Sequence, residues 1–263
     1  MSQPQEKLMN ARPESLIDVA THFCPGCHHG IVHRLVAEAI DHFGLREKSV
    51  GVACVGCSVF LYNYLNTDVV EAPHGRAPAV ATGMKRAQPE KLIYTYQGDG
   101  DLAAIGTAEI IHAANRGERI TVVFVNNTTY GMTGGQMAPT TLLGMKATTA
   151  PEGRKETRDG YPLDLSHLIA EIPGSAYVVR TTVTSPKTIR QTKQAIREAF
   201  QCQLDEEGFS LVEVLSMCPT NWKMDPLQSC AWIDEVMSKH YQPGVLVDRR
   251  KKKKAAAAEA AGG

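Results

Sequence analysis

The sequence predicts an α/β fold with a largely parallel sheet and helices on both faces. Two patterns carry that expectation. Short apolar runs at 48–55, 92–96, 120–125, 177–183 and 209–215 alternate with stretches whose apolar side chains return at helical spacing. The interval between the runs at 92–96 and 120–125 has the length of a helical crossover, the connection that two parallel neighbours require. At 263 residues, 43% hydrophobic and 21% charged, the chain has the size and composition of one globular domain.

Residues 1–15 are polar, contain Pro4 and Pro13, and read as an N-terminal arm; the main domain is expected over 16–247. Residues 16–23 lead into Cys24-Pro25-Gly26-Cys27, after which 30–43 places Ile31, Leu35, Val36 and Ile40 on one helical face and ends at Gly44. A strand at 48–55 follows. A short strand at 69–72 runs into His74-Gly75-Arg76, and a small-residue helix at 77–86 stops before Pro89. The strand at 92–96 meets Gly98-Asp99-Gly100, then a helix over 102–115 with Asp101 placed to cap it. Residues 128–161 are polar and glycine-rich, the kind of long loop that is functional or mobile in a compact domain. A short helix at 163–171, a strand at 177–183, an amphipathic helix at 186–203, a strand at 209–215 and a last helix at 225–240 complete the alternation. The basic run and alanines of 248–263 read as a disordered tail.

Formal net charge is zero, so no global field recruits nucleic acid or an anionic membrane. The longest apolar runs are strand-sized and the first residues lack the hydrophobic stretch of a signal peptide. The expectation is a cytoplasmic protein with neither nucleic acid nor membrane as partner.

The chemistry concentrates where Gly98-Asp99-Gly100 ends one apolar run and Asn126-Asn127 ends the next. In a parallel pair both ends open on the same edge, where glycines admit a diphosphate to backbone N–H groups and Asp plus Asn offer hard oxygen ligands to Mg²⁺. Taken alone, Gly-Asp-Gly is also an ordinary turn.

Seven cysteines without a secretory signal argue against a disulfide framework and for metal. Three readings stand side by side. Cys24-Pro-Gly-Cys27-His28 has the form of a covalent haem attachment, a modification normally made after export. Cys24, Cys27, Cys54 and Cys57 form two Cys-x-x-Cys pairs suited to structural zinc, with a gap longer than a zinc ribbon uses. Cys24, Cys27, Cys57 and the distant Cys218 suit an iron–sulfur cluster, leaving Cys54 packed in its strand as a small hydrophobe. Cys202 and Cys230 fall on faces of expected helices and read as structural, and His28 and His29 as groups that orient sulfur or backbone.

The Gly98-Asp99-Gly100 and Asn126-Asn127 elements resemble the thiamine diphosphate enzymes. That resemblance implies Mg²⁺ held by Asp99, Asn127 and the carbonyl of Thr129. Cys24-Pro-Gly-Cys27-His-His-Gly30, Val55-Gly-Cys57-Ser58, His74-Gly-Arg76, Ala81-Thr-Gly83, Gly98-Asp-Gly-Asp101, Asn126-Asn127, Tyr130-Gly-Met-Thr-Gly-Gly-Gln136 and Cys218-Pro-Thr-Asn-Trp222 together resemble the thiamine-binding β subunits of 2-oxoacid:ferredoxin oxidoreductases, of the 2-oxoglutarate or 2-ketoisovalerate type. The resemblance implies the thiamine diphosphate-binding fold and a [4Fe–4S] cluster on Cys24, Cys27, Cys57 and Cys218. It implies cofactor contacts from Gly98, Asp99, Gly100, Asp101, Asn127, Thr129, Tyr130, Gly131 and Thr133, with Gly134, Gly135 and Gln136 wrapping the diphosphate. His74 and Arg76 are expected beside the diphosphate or the substrate carboxylate. The implied reaction is oxidative decarboxylation of a 2-oxoacid to acyl-coenzyme A and CO₂, with electrons passed singly to ferredoxin.

Such enzymes draw a glutamate from a separate pyrimidine-binding domain, for which one diphosphate-binding domain leaves no room. A partner α subunit is therefore expected, with γ and δ subunits as further candidates. Many 2-oxoglutarate relatives carry Lys where Gly134 stands, which makes a branched-chain or other apolar 2-oxoacid a rival to 2-oxoglutarate, with pyruvate behind both. Two other classes stay open: a non-redox thiamine decarboxylase or carboligase subunit, and a zinc-stapled interaction module.

Overall fold

A computed structural model describes residues 11–250. Seven strands form one sheet. In chain order the strands of the molecule are β1 Ser49–Ala53, β2 Asp68–Glu71, β3 Leu92–Gly98, β4 Thr121–Asn126, β5 Thr129–Tyr130, β6 Gln136–Met137, β7 Ser175–Thr182, β8 Phe209–Leu215 and β9 Gly244–Asp248. The sheet runs β2-β1-β3-β4-β8-β7-β9, and β5 pairs with β6 in a separate hairpin. All its pairings are parallel except β7 with β9. The expected crossover is present: β3 and β4 lie side by side in parallel, with Gly98 opposite Val125.

The helices are α1 His29–His42, α2 Ala77–Ala87, α3 Thr107–Asn115, α4 Glu156–Asp159, α5 Leu165–Glu171, α6 Pro186–Leu204, α7 Pro219–Trp222, α8 Pro226–Trp232 and α9 Ser238–His240. Successive strand residues point to opposite faces, and the two faces build two cores. Tyr94, Tyr96, Val123 and Val125 pack with α1 and α6, while Ile93, Val122 and Phe124 pack with α2, α3 and α5. The central strands are therefore apolar on both sides, as a sheet covered by helices on each face demands.

Several boundaries differ from the sequence expectation for identifiable reasons. The first strand stops at Ala53 rather than 55, ahead of Gly56, which takes φ 112°. The helix expected over 102–115 begins as a π turn at Asp101–Ile105 before α3, and Asp101 does not cap it. Asp248, expected in a disordered tail, ends β9 on the sheet edge. Arg249 donates to the Ile172 carbonyl (3.1 Å), and the Arg250 guanidinium lies 4.2 Å from the centre of the Tyr177 ring. Apolar residues 245–247 and these two anchored arginines carry the fold past 247; the rest of the expected tail, 251–263, lies outside the described residues. Part of the expected arm is likewise bound in: Ser15 is buried, its N–H donating to Asp41, and Leu16 bridges to Leu65. Residues 1–10 lie outside the described residues.

The long polar segment is pinned from within. Arg154 donates to the carbonyls of Pro139 (2.7 Å), Thr141 (2.7 Å), Gly160 (2.9 Å) and Tyr161 (2.6 Å), closing the stretch around one buried guanidinium. No helix among the described residues is long and apolar enough to cross a membrane.

One buried ionic chain ties the back of the sheet to the end of β4. Arg180 on β7, with no exposed side-chain surface, donates to Glu213 on β8 (2.6 Å) and pairs with Asp164, the N-cap of α5. Glu213 in turn accepts from Asn126 Nδ2 (2.8 Å). Replacing Arg180 with Leu strands Glu213 as an unpaired charge in the core, and a loss of about 3–5 kcal/mol in folding stability is expected. Urea denaturation of both proteins measures it; a loss under 1 kcal/mol contradicts the role given to this pair.

Candidate active site

The carboxyl ends of four adjacent strands, β1, β3, β4 and β8, open on one edge and deliver the chemical groups there. From β3 comes Asp99, 2% exposed. Its carboxylate accepts from the Gly100 N–H (2.9 Å) and from Thr140 Oγ1 (2.6 Å). Burial raises its pKa from 3.8 to about 7, against the lowering effect of hydrogen bonds from Thr140, Gly100 and Thr129. No basic side chain among the described residues pairs with it.

From β4 come the two asparagines, and the structure separates their jobs. Asn126 is buried and committed to Glu213 and to the Thr128 N–H, which its Oδ1 accepts at 3.1 Å. Asn127 lies in the cleft with its Oδ1 accepting from the Thr129 N–H (3.2 Å). The turn between them puts Thr128 at φ 58°, a left-handed conformation that costs a threonine about 1–3 kcal/mol. The side chains around it hold it there. Asp99, Asn127 and Thr129 thus line one cleft with Gly98, Gly100, Asp101, Tyr130, Gly131, Thr133 and His74. The donor set is anionic and amide oxygen, the type that suits Mg²⁺, and a buried carboxylate without a cation is short of the charge such an ion brings.

Tyr130 crosses back over the Gly98-Asp99-Gly100 turn, donating to the Gly100 carbonyl (3.2 Å). A Cβ at Gly100 would lie 2.2 Å from the tyrosine ring, so only glycine fits. Thr133 Oγ1 meets Gln136 Oε1 at 2.5 Å and closes the glycine-rich turn. His74 reaches the cleft with its Nδ1 bound to Asp101. Arg76, expected beside it, does not line the cleft: it pairs with Glu109 on α3 and donates toward the Ile105 carbonyl. The reason is local, since Arg76 opens α2 and α3 packs against that helix end.

The cysteines assemble from three places in the chain. Burial pushes the Cys27 thiol up to about 12, with the nearby Cys57, Cys218 and Cys24 sulfurs adding to the rise against a backbone hydrogen bond at His29. Burial likewise pushes Cys57 up to about 11, with Cys218 and Cys24 next in effect. Cys24, Cys27, Cys57 and Cys218 are therefore neighbours. Among the described residues no three His, Cys, Asp or Glu side chains converge tightly enough to hold a single metal ion. Cys54 stands apart. Its thiol donates to Asp101 (3.1 Å) and the Pro73 carbonyl (3.3 Å), on the side of the second core, so the paired Cys24/Cys27 and Cys54/Cys57 arrangement of a zinc ribbon does not form. Cys202 is buried in the first core, and Cys230 lies 4.0 Å from His28 Nε2.

The segment after β8 stitches cage and cleft together. Asn221 Nδ2 contacts Cys218 Sγ (3.1 Å) and donates to the Gly131 carbonyl (2.9 Å), and Trp222 Nε1 donates to the Asn127 carbonyl (3.2 Å). A Cβ built on Gly131 would lie 3.4 Å from Cys218 Sγ and 3.5 Å from Cys57 Sγ. The loop that carries Asn127 and Thr129 thus passes so near two of the four sulfurs that a methyl group at Gly131 would touch both. Sequence reading assigned no role to Thr140, Asn221 or Trp222. The last two sit in the Cys218-Pro-Thr-Asn-Trp222 motif and were open to inspection, whereas nothing near Thr140 in sequence marks it.

Residues 54–214 match the profile of the thiamine pyrophosphate enzymes, C-terminal TPP binding domain. The chain belongs to this family. It is 47% identical over 240 residues to the ketoisovalerate oxidoreductase subunit VorA of Methanothermobacter thermautotrophicus, covering 88% of this chain and 50% of that protein. To the 2-oxoglutarate synthase subunit KorB of Archaeoglobus fulgidus it is 43% identical over 206 residues, 78% of this chain and 73% of the relative. A solved 2-oxoglutarate:ferredoxin oxidoreductase from Magnetococcus marinus, with 2-oxoglutarate, coenzyme A and succinyl-CoA bound, matches with a TM-score of 0.70 at 30% identity over 81% of this chain and 70% of that one. Within the thiamine pyrophosphate enzymes, then, this chain is a member of the 2-oxoacid:ferredoxin oxidoreductase subunits. It spans about half the length of the VorA proteins it matches.

The Asp99 carboxyl makes the metal-free chain sensitive to pH. Its folded pKa of about 7 lies above the ordinary 3.8, so its contribution to stability is complete below pH 3.8 and is lost as pH rises through 7. The loss is on the order of 4 kcal/mol. Asp99→Asn is expected to flatten this slope between pH 5 and 8 in denaturation experiments without divalent cation; an unchanged slope sinks the assignment of the shift to this residue.

Proposed function

We propose that this chain is the thiamine diphosphate-binding β subunit of a 2-oxoacid:ferredoxin oxidoreductase that converts an apolar, branched 2-oxoacid to acyl-coenzyme A and CO₂. One 2-oxoacid and one coenzyme A thiol give one acyl thioester, one CO₂, one proton and two electrons, which leave singly to two ferredoxins. The observation that carries the reading is the Asn127–Gly131 loop, whose one end offers oxygen donors and whose other end passes one side-chain atom's reach from the sulfurs of Cys57 and Cys218.

Asp99, Asn127 and the Thr129 carbonyl would hold Mg²⁺ against the cofactor diphosphate, with Gly98, Gly100 and the loop of Tyr130, Gly131 and Thr133 around it. Thiamine diphosphate, when bound, supplies the electron sink that lets the bond between the keto carbon and the carboxylate break. His74 would hold a proton at the substrate oxygen. Cys24, Cys27, Cys57 and Cys218 would hold a [4Fe–4S] cluster; four neighbouring thiols, three of them half-buried, repel as thiolates, and the iron of a cluster offsets that charge.

The size of the cleft fits a site completed by a partner subunit. The cleft is narrow, with about 70 Å³ open to water-sized groups, room for the end of a ligand whose remainder would rest on another surface. The lining supports an apolar substrate class. No Lys or Arg stands among the described residues that line the cleft, and Gly134 has open space beside its Cα, so this cleft offers no cation of its own to a second carboxylate; Lys146 and Lys223 line the neighbouring cavity that Gly134 borders. The VorA relatives favour the same branched class. The second reading, 2-oxoglutarate, has the KorB relative and the Magnetococcus marinus structure on its side.

The chain alone is expected to show no turnover with any 2-oxoacid plus coenzyme A, and to reduce a one-electron acceptor only with its partner subunits. Turnover by the isolated chain overturns the reading. Anaerobic preparations are expected to hold about four irons per chain, and Cys218→Ser to lose iron while keeping thiamine diphosphate affinity. One zinc and no iron would count against the cluster. A panel of 2-oxoacids decides substrate class: kcat/KM at least about tenfold higher for 2-oxoisovalerate than for 2-oxoglutarate is expected, a difference of about 1.4 kcal/mol.

A further inference from the structure

We propose that Asp101 is a positioning residue that fixes the tautomer and aim of His74 at the cofactor cleft, and that Cys54 helps hold it in place. The proposal rests on the reading above for what His74 does, and on geometry alone for what Asp101 does.

Asp101 is 2% exposed and begins the π turn before α3. A helix-capping carboxylate would face the N–H groups of its own helix; this one faces away. One oxygen, Oδ1, takes His74 Nδ1, the Gly75 N–H (2.7 Å) and the Cys54 thiol (3.1 Å). The other, Oδ2, takes Gln97 Nε2 (2.6 Å). The extra residue of a π turn is a frequent mark of a functional site, and here it directs the carboxylate to the end of the sheet.

Beside His74, the Gly75 N–H can only donate, Gln97 presents its Nε2 and Cys54 its S–H, and a carboxylate only accepts. His74 must therefore carry its proton on Nδ1. Its other nitrogen, Nε2, has no hydrogen-bond partner among the described residues, and its ring is 31% exposed where it lines the cleft. That nitrogen is the one left free to take a proton, after which Asp101 faces the imidazolium.

Two details show that the arrangement is built. A Cβ on Gly75 would lie 2.7 Å from the Gly106 N and the Ile105 carbonyl carbon, so only glycine lets the His74 turn settle on the π turn. Burial, then the charge of Asp101, pushes the Cys54 thiol up to about 12, which keeps it an S–H donor. The cysteine that belongs to no metal set thus has a partner.

The test uses the complex with its partner subunits and four changes. Asp101→Asn turns an NH₂ toward His74 and favours the wrong tautomer; kcat is expected to fall about 10²- to 10⁴-fold, with KM for the 2-oxoacid and affinity for thiamine diphosphate within about threefold. Cys54→Ala removes one donor and is expected to lower kcat about five- to tenfold, and Cys54→Ser, which keeps a donor, to recover most of it. His74→Ala combined with Asp101→Asn is expected to be no slower than His74→Ala alone. Independent of turnover, ¹⁵N spectra of histidine-labelled full chain are expected to place the His74 proton on Nδ1 in the native protein and on Nε2 in Asp101→Asn. Additive losses in the double variant, equal activity of Cys54→Ala and the native complex, or an Nε2–H tautomer in the native chain overturns the proposal; if Asp101→Asn does not fold, the Cys54 pair and the native spectrum still decide it. A native complex inert toward all 2-oxoacids with the Nδ1–H tautomer in place would fault the reading of function and leave the Asp101 geometry standing.

Discussion

The Asn127–Gly131 loop has to satisfy two neighbours at once, and the rest of the site is arranged around that demand. At its start it follows a parallel strand whose last residue is buried against Glu213. At its end it passes close to Cys57 and Cys218, with room between for little more than a methyl group. A loop with two such anchors and polar backbone would ordinarily seek water. Here Trp222 and Asn221 take up the carbonyls of Asn127 and Gly131 instead. The same two hydrogen bonds therefore give the loop its shape and fix the oxygen-lined cleft relative to the four cysteines.

That arrangement makes the sheet edge rich in groups that are expensive to bury. Asp99 sits out of water with no basic partner among the described residues, and Thr128 holds a left-handed backbone. Such strain persists only where the surroundings over-determine it. The surroundings are the ionic chain from Asp164 through Arg180 and Glu213 to Asn126 and the hydrogen bonds of Thr140 and Thr141. Stability in the body of the domain offsets what the site gives up, which is why a charge pair on β7 and β8 matters to an amide at the tip of β4.

Much of the fold was legible because it rests on period and punctuation. Residues 209–215 form β8 at the expected bounds, and the crossover between β3 and β4 was visible from the length and spacing of its parts. Errors fell where a local rule competed with packing between elements. Asp101 looked like a cap because it precedes a helical run; a π turn and Gly75 redirected it. Residue 248 looked like the start of a tail because lysines follow it, yet the apolar residues 245–247 complete the sheet edge as β9, and Arg249 and Arg250 fasten it.

The amino-acid order by itself determined the alternation of strands and helices, the two acidic and amide tips at neighbouring strand ends, and the odd cysteine inventory that pointed to metal. These depend on spacing along the chain, which hydrophobic periodicity and turn chemistry read directly. Only the tertiary structure decided which side chains face the same cleft. Cys218 joins Cys24, Cys27 and Cys57 while Cys54 turns to Asp101, and His74 enters the cleft while Arg76 leaves it for Glu109. The physical reason is that a side chain at a strand end is aimed by the packing of elements remote in sequence, and no local pattern records those neighbours.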